Sequence, residues 1–214
     1  MAENVIVLGA GGHSKVLIDV LRLIERRIIG LVAPDKVAGD TFYGVPVLGG
    51  DEEVLRYSVS DVMLVNGLGA LPGMVRRWSI AEEMRNKGYQ FVTVVHPSAI
   101  VASGVTLQQG VQVMAGAIIQ SGSSIGQDSI INTGTVVDHD CKIESGCHVA
   151  SGAVLSGGVW VGRRGHVGAG TVVLQNCSIG ERAVIAAGSV IYRDIPEAVT
   201  VIQKRATELI TTRE

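Results

Sequence analysis

Every sixth residue from Val101 to Ile191 is Val, Leu or Ile. The series runs unbroken through Val101, Leu107, Val113, Ile119, Ile125, Ile131, Val137, Ile143, Val149, Leu155, Val161, Val167, Val173, Ile179, Ile185 and Ile191. Four residues after each aliphatic stands a second, mostly small residue, as in Ala117, Ser123, Ser129, Thr135, Cys141, Cys147 and Ala153. A period of six suits neither a helix at 3.6 residues per turn nor an alternating strand. It suits a short strand followed by a tight turn, three of which close one triangular coil. The repeats therefore predict a parallel β-helix with both series packed inside. Residues eighteen apart should stack about 4.8 Å from one another along its axis.

A filled prism leaves no interior room for a ligand, so function must sit on the outer faces, on the turns or between neighbouring prisms. The three cysteines, Cys141, Cys147 and Cys177, all occupy the small inward position. They read as buried filler thiols. Cys141 and Cys177 lie two coils apart, about 9.6 Å, which is too far for a disulfide.

The chain has 214 residues and a net charge of −2. Such a balance argues against a nucleic-acid partner held by bulk electrostatics. The apolar run Val5–Leu8 is one strand long and has no basic flank, so neither a signal peptide nor a membrane span is expected. These features predict a cytoplasmic protein.

The first 95 residues are organised differently. Residues 4–9 read as a buried strand, followed by Gly9-Ala10-Gly11-Gly12-His13-Ser14 and a helix carrying Val16, Leu17, Val20, Leu21 and Ile24. Further strands are expected over 28–32, 61–65 and 89–95. Asp51 is expected to cap a short helix through Tyr57, and Pro72 to open a helix reaching about Lys87. Strands alternating with helices predict a small parallel Rossmann-like sheet. The boundaries expected are a Rossmann-like domain over 1–95, the β-helix over 96–196 and a tail over 197–214.

Two candidate sites follow. The glycine loop lets backbone amides approach a phosphate at a helix N-terminus, although Ser14 stands where the last glycine of a dinucleotide fingerprint belongs. A nucleotide sugar suits this short sheet better than NAD. The ligand should meet Gly11, Gly12, His13, Asp35 and Gly67, where the carboxyl ends of the strands converge. On the β-helix, His139 is read on the strand portion of its hexapeptide between Asp138 and Asp140, stacked on small residues Ser121 and Gly157. An imidazole near neutrality, oriented by a carboxylate, suits proton removal from an attacking amine or alcohol. His148 and His166, eighteen apart, are expected to stack on one corner. Their spacing from His139 does not suggest zinc, and no metal is expected.

Ile131-Asn132-Thr133-Gly134-Thr135-Val136-Val137-Asp138-His139-Asp140-Cys141, followed by His148-Val149-Ala150, resembles the bacterial sugar acetyltransferases of the NeuD type. These include the sialic-acid O-acetyltransferases and the N-acetyltransferases of nucleotide-linked 4-amino-4,6-dideoxy sugars. Gly9-Ala10-Gly11-Gly12-His13 and His96-Pro97-Ser98-Ala99 match as well. The resemblance implies a left-handed β-helix, a homotrimer, and acetyl-CoA held in the groove between prisms. It implies that His139 is the general base, sharpened by Asp140, and that His148 and the backbones of Ala169 and Ala187 contact acetyl-CoA. The nucleotide-linked sugar would lie on Gly11, Gly12 and His13, helped by Asp35 and Gly67.

The chain departs from that pattern at Val65-Asn66-Gly67-Leu68-Gly69, where many relatives carry Ile-Gly-Asp-Asn. It departs again at Ile202-Gln203-Lys204-Arg205-Ala206, which replaces Gly-x-Pro-Ala-Lys and offers Lys204 and Arg205 to the CoA phosphates. The expected activity is acetyl transfer to the amine of a nucleotide-linked amino-deoxy sugar. The alternatives are O-acetylation of a sialic- or legionaminic-type sugar and a non-catalytic nucleotide-binding scaffold.

Overall fold

The computed structural model describes residues 4–203; Lys204 and Arg205 lie outside them. The chain forms a small α/β domain seated on one face of a left-handed parallel β-helix.

The β-helix follows the six-residue period directly. Each hexapeptide supplies a two-residue strand whose second residue is the inward aliphatic, as in Val136–Val137 and His148–Val149. Strands eighteen residues apart pair in parallel and in register, for example Ile118 with Val136 and Ile119 with Val137. Three faces result. The first runs from Val94–Val95 through Gln112–Val113, Ile130–Ile131, His148–Val149, His166–Val167 and Val184–Ile185 to Thr200–Val201. The second contains Ile118–Ile119 and Val136–Val137, the third Ser124–Ile125 and Lys142–Ile143. Both inward series are buried over most of the prism, Ser123, Ser129, Thr135, Thr171 and Ser189 included. Each buried hydroxyl is satisfied by a backbone carbonyl, as Ser123 Oγ donates to Asp138 O and Ser129 Oγ to Glu144 O. All three cysteines are buried and unpaired, and burial pushes the Cys147 thiol up to about 12.

In the N-terminal domain β1 (Asn4–Leu8) lies between β2 (Arg27–Val32) and β5 (Val62–Asn66), all parallel. Alternate residues of β1 feed two cores. Val5 and Val7 pack with Leu17, Ile18, Val20 and Leu21 of α1 (Gly12–Leu23). Ile6 and Leu8 pack with Ile80, Ala81 and Met84 of α2 (Arg76–Asn86). Val16, expected inside, faces solvent, and Ile18 takes the buried position. A hairpin of β3 (Thr41–Phe42) and β4 (Val45–Gly49) extends the sheet beside β2. The sequence reading missed it, because Pro46 interrupts the strand pattern; it stands before Val47, where the pairing with β2 begins.

Three expected elements differ. The helix expected from Pro72 begins at Arg76, because Pro72 and Gly73 form a turn with Gly73 in the left-handed region at φ 80°. Asp51 is not a cap: Gly50 takes that position for the 3-10 helix Asp51–Arg56, and the Asp51 carboxylate pairs with Arg76. The strand expected over 89–95 divides, since Phe91 bridges Leu64 of β5 while Val94–Val95 pairs with Gln112–Val113 of the prism. One stretch thus belongs to both sheets, and Val94 and Met114 join the core beneath α1.

Candidate active site

His139 lies in a turn, not on a strand. It stands two residues beyond the inward Val137, at the corner joining the second and third faces. Asp140 follows in the left-handed conformation at φ 58°, uncommon for a non-glycine residue, and its carboxylate returns to the ring. Asp140 Oδ2 is 2.8 Å from His139 Nδ1, and the His139 N–H donates to Asp138 Oδ1 at 2.7 Å. A carboxylate can only accept, so Nδ1 carries the hydrogen and Nε2 keeps its lone pair. The bond to Asp140, then the Asp138 charge, raises the imidazole pKa above its usual value. Gly157 lies against the ring: a Cβ there would stand 2.6 Å from both Cε1 and Nε2. The expected small neighbour is therefore the condition for the ring's position. The side chain remains 55% exposed.

The other histidines occupy a different place. His148 and His166 sit on strands of the first face with their rings outward, not on a corner, because each directly precedes an inward valine. Their centroids are 5.0 Å apart at 74°. His148 Nδ1 donates to Ala70 O at 2.8 Å, and Asn132 Nδ2 lies 3.1 Å from Nε2. Asn132 Oδ1 already accepts the Thr133 N–H, which makes Nδ2 the donor to the ring. Both nitrogens of His148 are thus engaged within the chain, and burial lowers its pKa to about 4.

His13 reaches the same face from the start of α1. Gln112 Nε2 donates to Asn66 O at 2.8 Å, so Gln112 Oε1 accepts from His13 Nε2, 2.7 Å away. His13 is left with Nδ1 as an acceptor. Burial first, and the Arg77 charge second, lower its pKa to about 4.

The glycine loop joins Gly67 through Ser14, the residue that breaks the dinucleotide fingerprint. Ser14 Oγ lies 2.8 Å from Gly9 O and 3.0 Å from Gly67 O. A Cβ on Gly67 would collide with that hydroxyl and with Leu8 O. Beside this junction, Gly9, Ala10, Gly11, Asp35, Asp51, Leu68 and Arg76 line a pocket of about 250 Å³. Of the five residues expected to converge on the ligand, Gly11 and Asp35 line this pocket, and Gly12, His13 and Gly67 do not. Asn66, Gln112, Asp51 and Arg76 were not legible as site residues. Gln112 stands at an outward repeat position and is buried only because the N-terminal domain docks over it.

Ala169 and Ala187 are exposed turn residues at the corner between the first and second faces. The turns stacked along that corner include Ala115-Gly116, Thr133-Gly134, Ser151-Gly152, Ala169-Gly170 and Ala187-Gly188, so small residues leave the backbone open to an extended ligand. His139 belongs to another corner, the one opposite the first face on which the N-terminal domain sits. One chain therefore keeps its candidate base apart from His13 and Gly67. Among the described residues no group of three or more His, Cys, Asp or Glu could hold a metal ion, and no helix is long and apolar enough to cross a membrane.

Residues 4–84 match the family described as PglD N-terminal domain, and residues 122–157 match the bacterial transferase hexapeptide repeats. A variant of perosamine N-acetyltransferase from Caulobacter crescentus, solved with CoA and GDP-perosamine, superposes with a TM-score of 0.87 at 37% identity, over 94% of this chain and 93% of that one. The acetyltransferase domain of PglB from Neisseria gonorrhoeae, solved with acetyl coenzyme A, gives 0.88 at 31% identity over 98% and 100%. UDP-N-acetylbacillosamine N-acetyltransferase of Bacillus subtilis is 36% identical over 117 residues, which span 53% of this chain and 52% of that relative. With two of these likenesses running nearly end to end through both domains, the chain belongs to the NeuD/PglD-type sugar acetyltransferases of the hexapeptide-repeat class.

Proposed function

We propose that this protein transfers the acetyl group of acetyl-CoA directly to the amino group of a nucleotide-linked amino-deoxy sugar, with His139 as general base. The observation that carries the reading is the His139 turn: an exposed imidazole whose Nδ1 is tied to Asp140 and whose Nε2 is free beside a glycine. Acetyl-CoA supplies the thioester. His139 Nε2 removes the proton from the amine as its nitrogen bonds to the thioester carbon, and Asp140 stabilises the imidazolium that forms. The adduct then collapses with cleavage of the C–S bond, and the imidazolium returns the proton to the departing CoA thiolate. Such a base is worth roughly a hundred- to ten-thousandfold in rate, and alignment of the two substrates supplies much of the rest.

The nucleotide lies in the pocket of Gly11, Asp35 and Arg76, with its sugar directed past Gly67 and His13. The chain presents that region and His139 on opposite sides of its own prism, so a neighbouring copy supplies the base. This supports a homotrimer, with CoA running along the corner of Ala169 and Ala187 beside the partner's His139 turn. His148, whose nitrogens are both engaged in the chain, then shapes that wall through its ring. The perosamine and bacillosamine relatives both carry amino-sugar acetyltransferase names, which favours the amine over a hydroxyl. Acetyl-CoA as donor suits a cytoplasmic setting.

The test is release of free thiol from acetyl-CoA across a panel of UDP- and GDP-linked 4-amino sugars and sialic- and legionaminic-type acids. Rapid release with one amino sugar, lost in His139→Ala, is expected. Release with hydroxyl acceptors alone would replace the reading by O-acetylation, and silence would overturn both.

A further inference from the structure

We infer that Arg77 is a positioning residue of the transferase: it fixes the loop that meets the sugar against the prism. The inference rests on the site proposed above, in which Gly67 and His13 face the sugar end of the nucleotide sugar.

Arg77 leaves α2 and is buried to 1% exposure. Its guanidinium donates to Asn66 O at 2.9 Å and Leu68 O at 2.5 Å, the carbonyls on either side of Gly67, and lies 3.4 Å from Asp128 O on a prism turn. Its Nε has no hydrogen-bond partner. The Asp128 carboxylate is engaged by Arg85, bidentate at 2.6 and 2.7 Å, so no carboxylate touches Arg77 directly. A buried charge held by carbonyls with one N–H orphaned is a poor way to join two domains. Arg85 and Asp128 already join them with better geometry. What Arg77 alone adds is the bracket around Gly67. Asn66 O also accepts from Gln112, which holds His13, so a shift of this bracket moves Gly67 and His13 together. Gly11 and Asp35, which take the nucleotide, have no bond to Arg77 among the contacts of the described residues.

The arrangement predicts a split between binding and turnover. Arg77→Lys, which retains charge but not the fork, should lower kcat about tenfold or more through misplacement of the acceptor. The Kd of the free nucleoside diphosphate (UDP or GDP) that forms the nucleotide half of the active acceptor, and the KM for acetyl-CoA, should stay within about twofold. Arg85→Gln provides the comparison: it should lower the melting temperature while kcat stays near wild type. A kcat for Arg77→Lys within about twofold of wild type would overturn the inference. So would equal losses of kcat in the two variants, or a parallel loss of diphosphate binding, since each is what simple domain glue gives. Wild-type protein inactive toward every acceptor would instead remove the reading of the site and the inference with it. Should Arg77→Lys not fold, Arg77→Gln, whose amide can donate to only part of the Asn66 and Leu68 carbonyl bracket, is read for the same split.

Discussion

The Gly157 backbone lies so close to the His139 imidazole that a methyl group at 157 and the ring cannot both occupy their places. Gly157 is not among the residues with positive φ, so alanine fits the backbone itself. Gly157→Ala should therefore displace the ring without unfolding the prism. Displacement of a base by about 1 Å costs on the order of a hundredfold in kcat. Steady-state kinetics with a parallel thermal melt checks this, and an unchanged kcat would mean that the ring's position over Gly157 is irrelevant to the reaction.

Asp140 sets the pH at which His139 can act. A general base works in its neutral form, and the bond to Asp140 raises the ring's pKa, so turnover should rise with pH through a value above the ordinary 6.5. Asp140→Asn removes the largest contribution to that rise while Asp138 retains its own. The acid limb of the kcat/KM profile should move to lower pH and its plateau should fall, because the less basic imidazole accepts the proton less readily. A profile that keeps its midpoint would place the titration elsewhere.

The repeats were readable because six-residue spacing has one geometric solution, and because inward positions tolerate only aliphatic or small side chains. The grouping of His139 with its two flanking acids was readable because such residues have no packing role in the prism, but its place on a turn instead of a strand was not. The polar floor between the domains was not. Gln112 and His148 sit at outward repeat positions that ordinarily face water, and only docking of Asn66, Ala70 and Arg77 makes them interior groups. Such burial depends on contacts far apart in the chain, Gln112 with Asn66 and His148 with Ala70, for which no local spacing provides a signal. Ser14 shows the converse: a mismatch to a fingerprint became the bond that ties the glycine loop to Gly67.

His13 and His148 tie domain docking to pH. Both are half-buried as neutral rings with pKa values lowered to about 4. Between that value and 6.5 the unfolded chain binds protons that the folded chain refuses, so stability is fully present above about pH 6.5 and is lost as pH falls towards 4. Each shift corresponds to something on the order of 3 kcal/mol. Chemical denaturation at pH 7 and pH 4.5 should show the wild type markedly weaker in acid. His148→Gln should be less stable at pH 7 but lose less on acidification. Equal acid losses in the two proteins would show that His148 does not carry the effect.

If the base and the sugar loop of one site come from different copies, two inactive variants should repair each other. His139→Ala retains an intact loop, and Gly67→Leu, whose side chain would collide with Ser14 and Leu8, retains an intact base. In a trimer assembled at random from equal amounts of the two, a site is whole when an intact loop meets an intact base, which gives about a quarter of the wild-type sites. Coexpression with two affinity tags followed by thiol-release kinetics measures that fraction. Each variant alone should remain inactive, and mixing after assembly should restore nothing until the subunits exchange. A site complete within one chain predicts no recovery at any ratio, because every prism then carries one defect or the other.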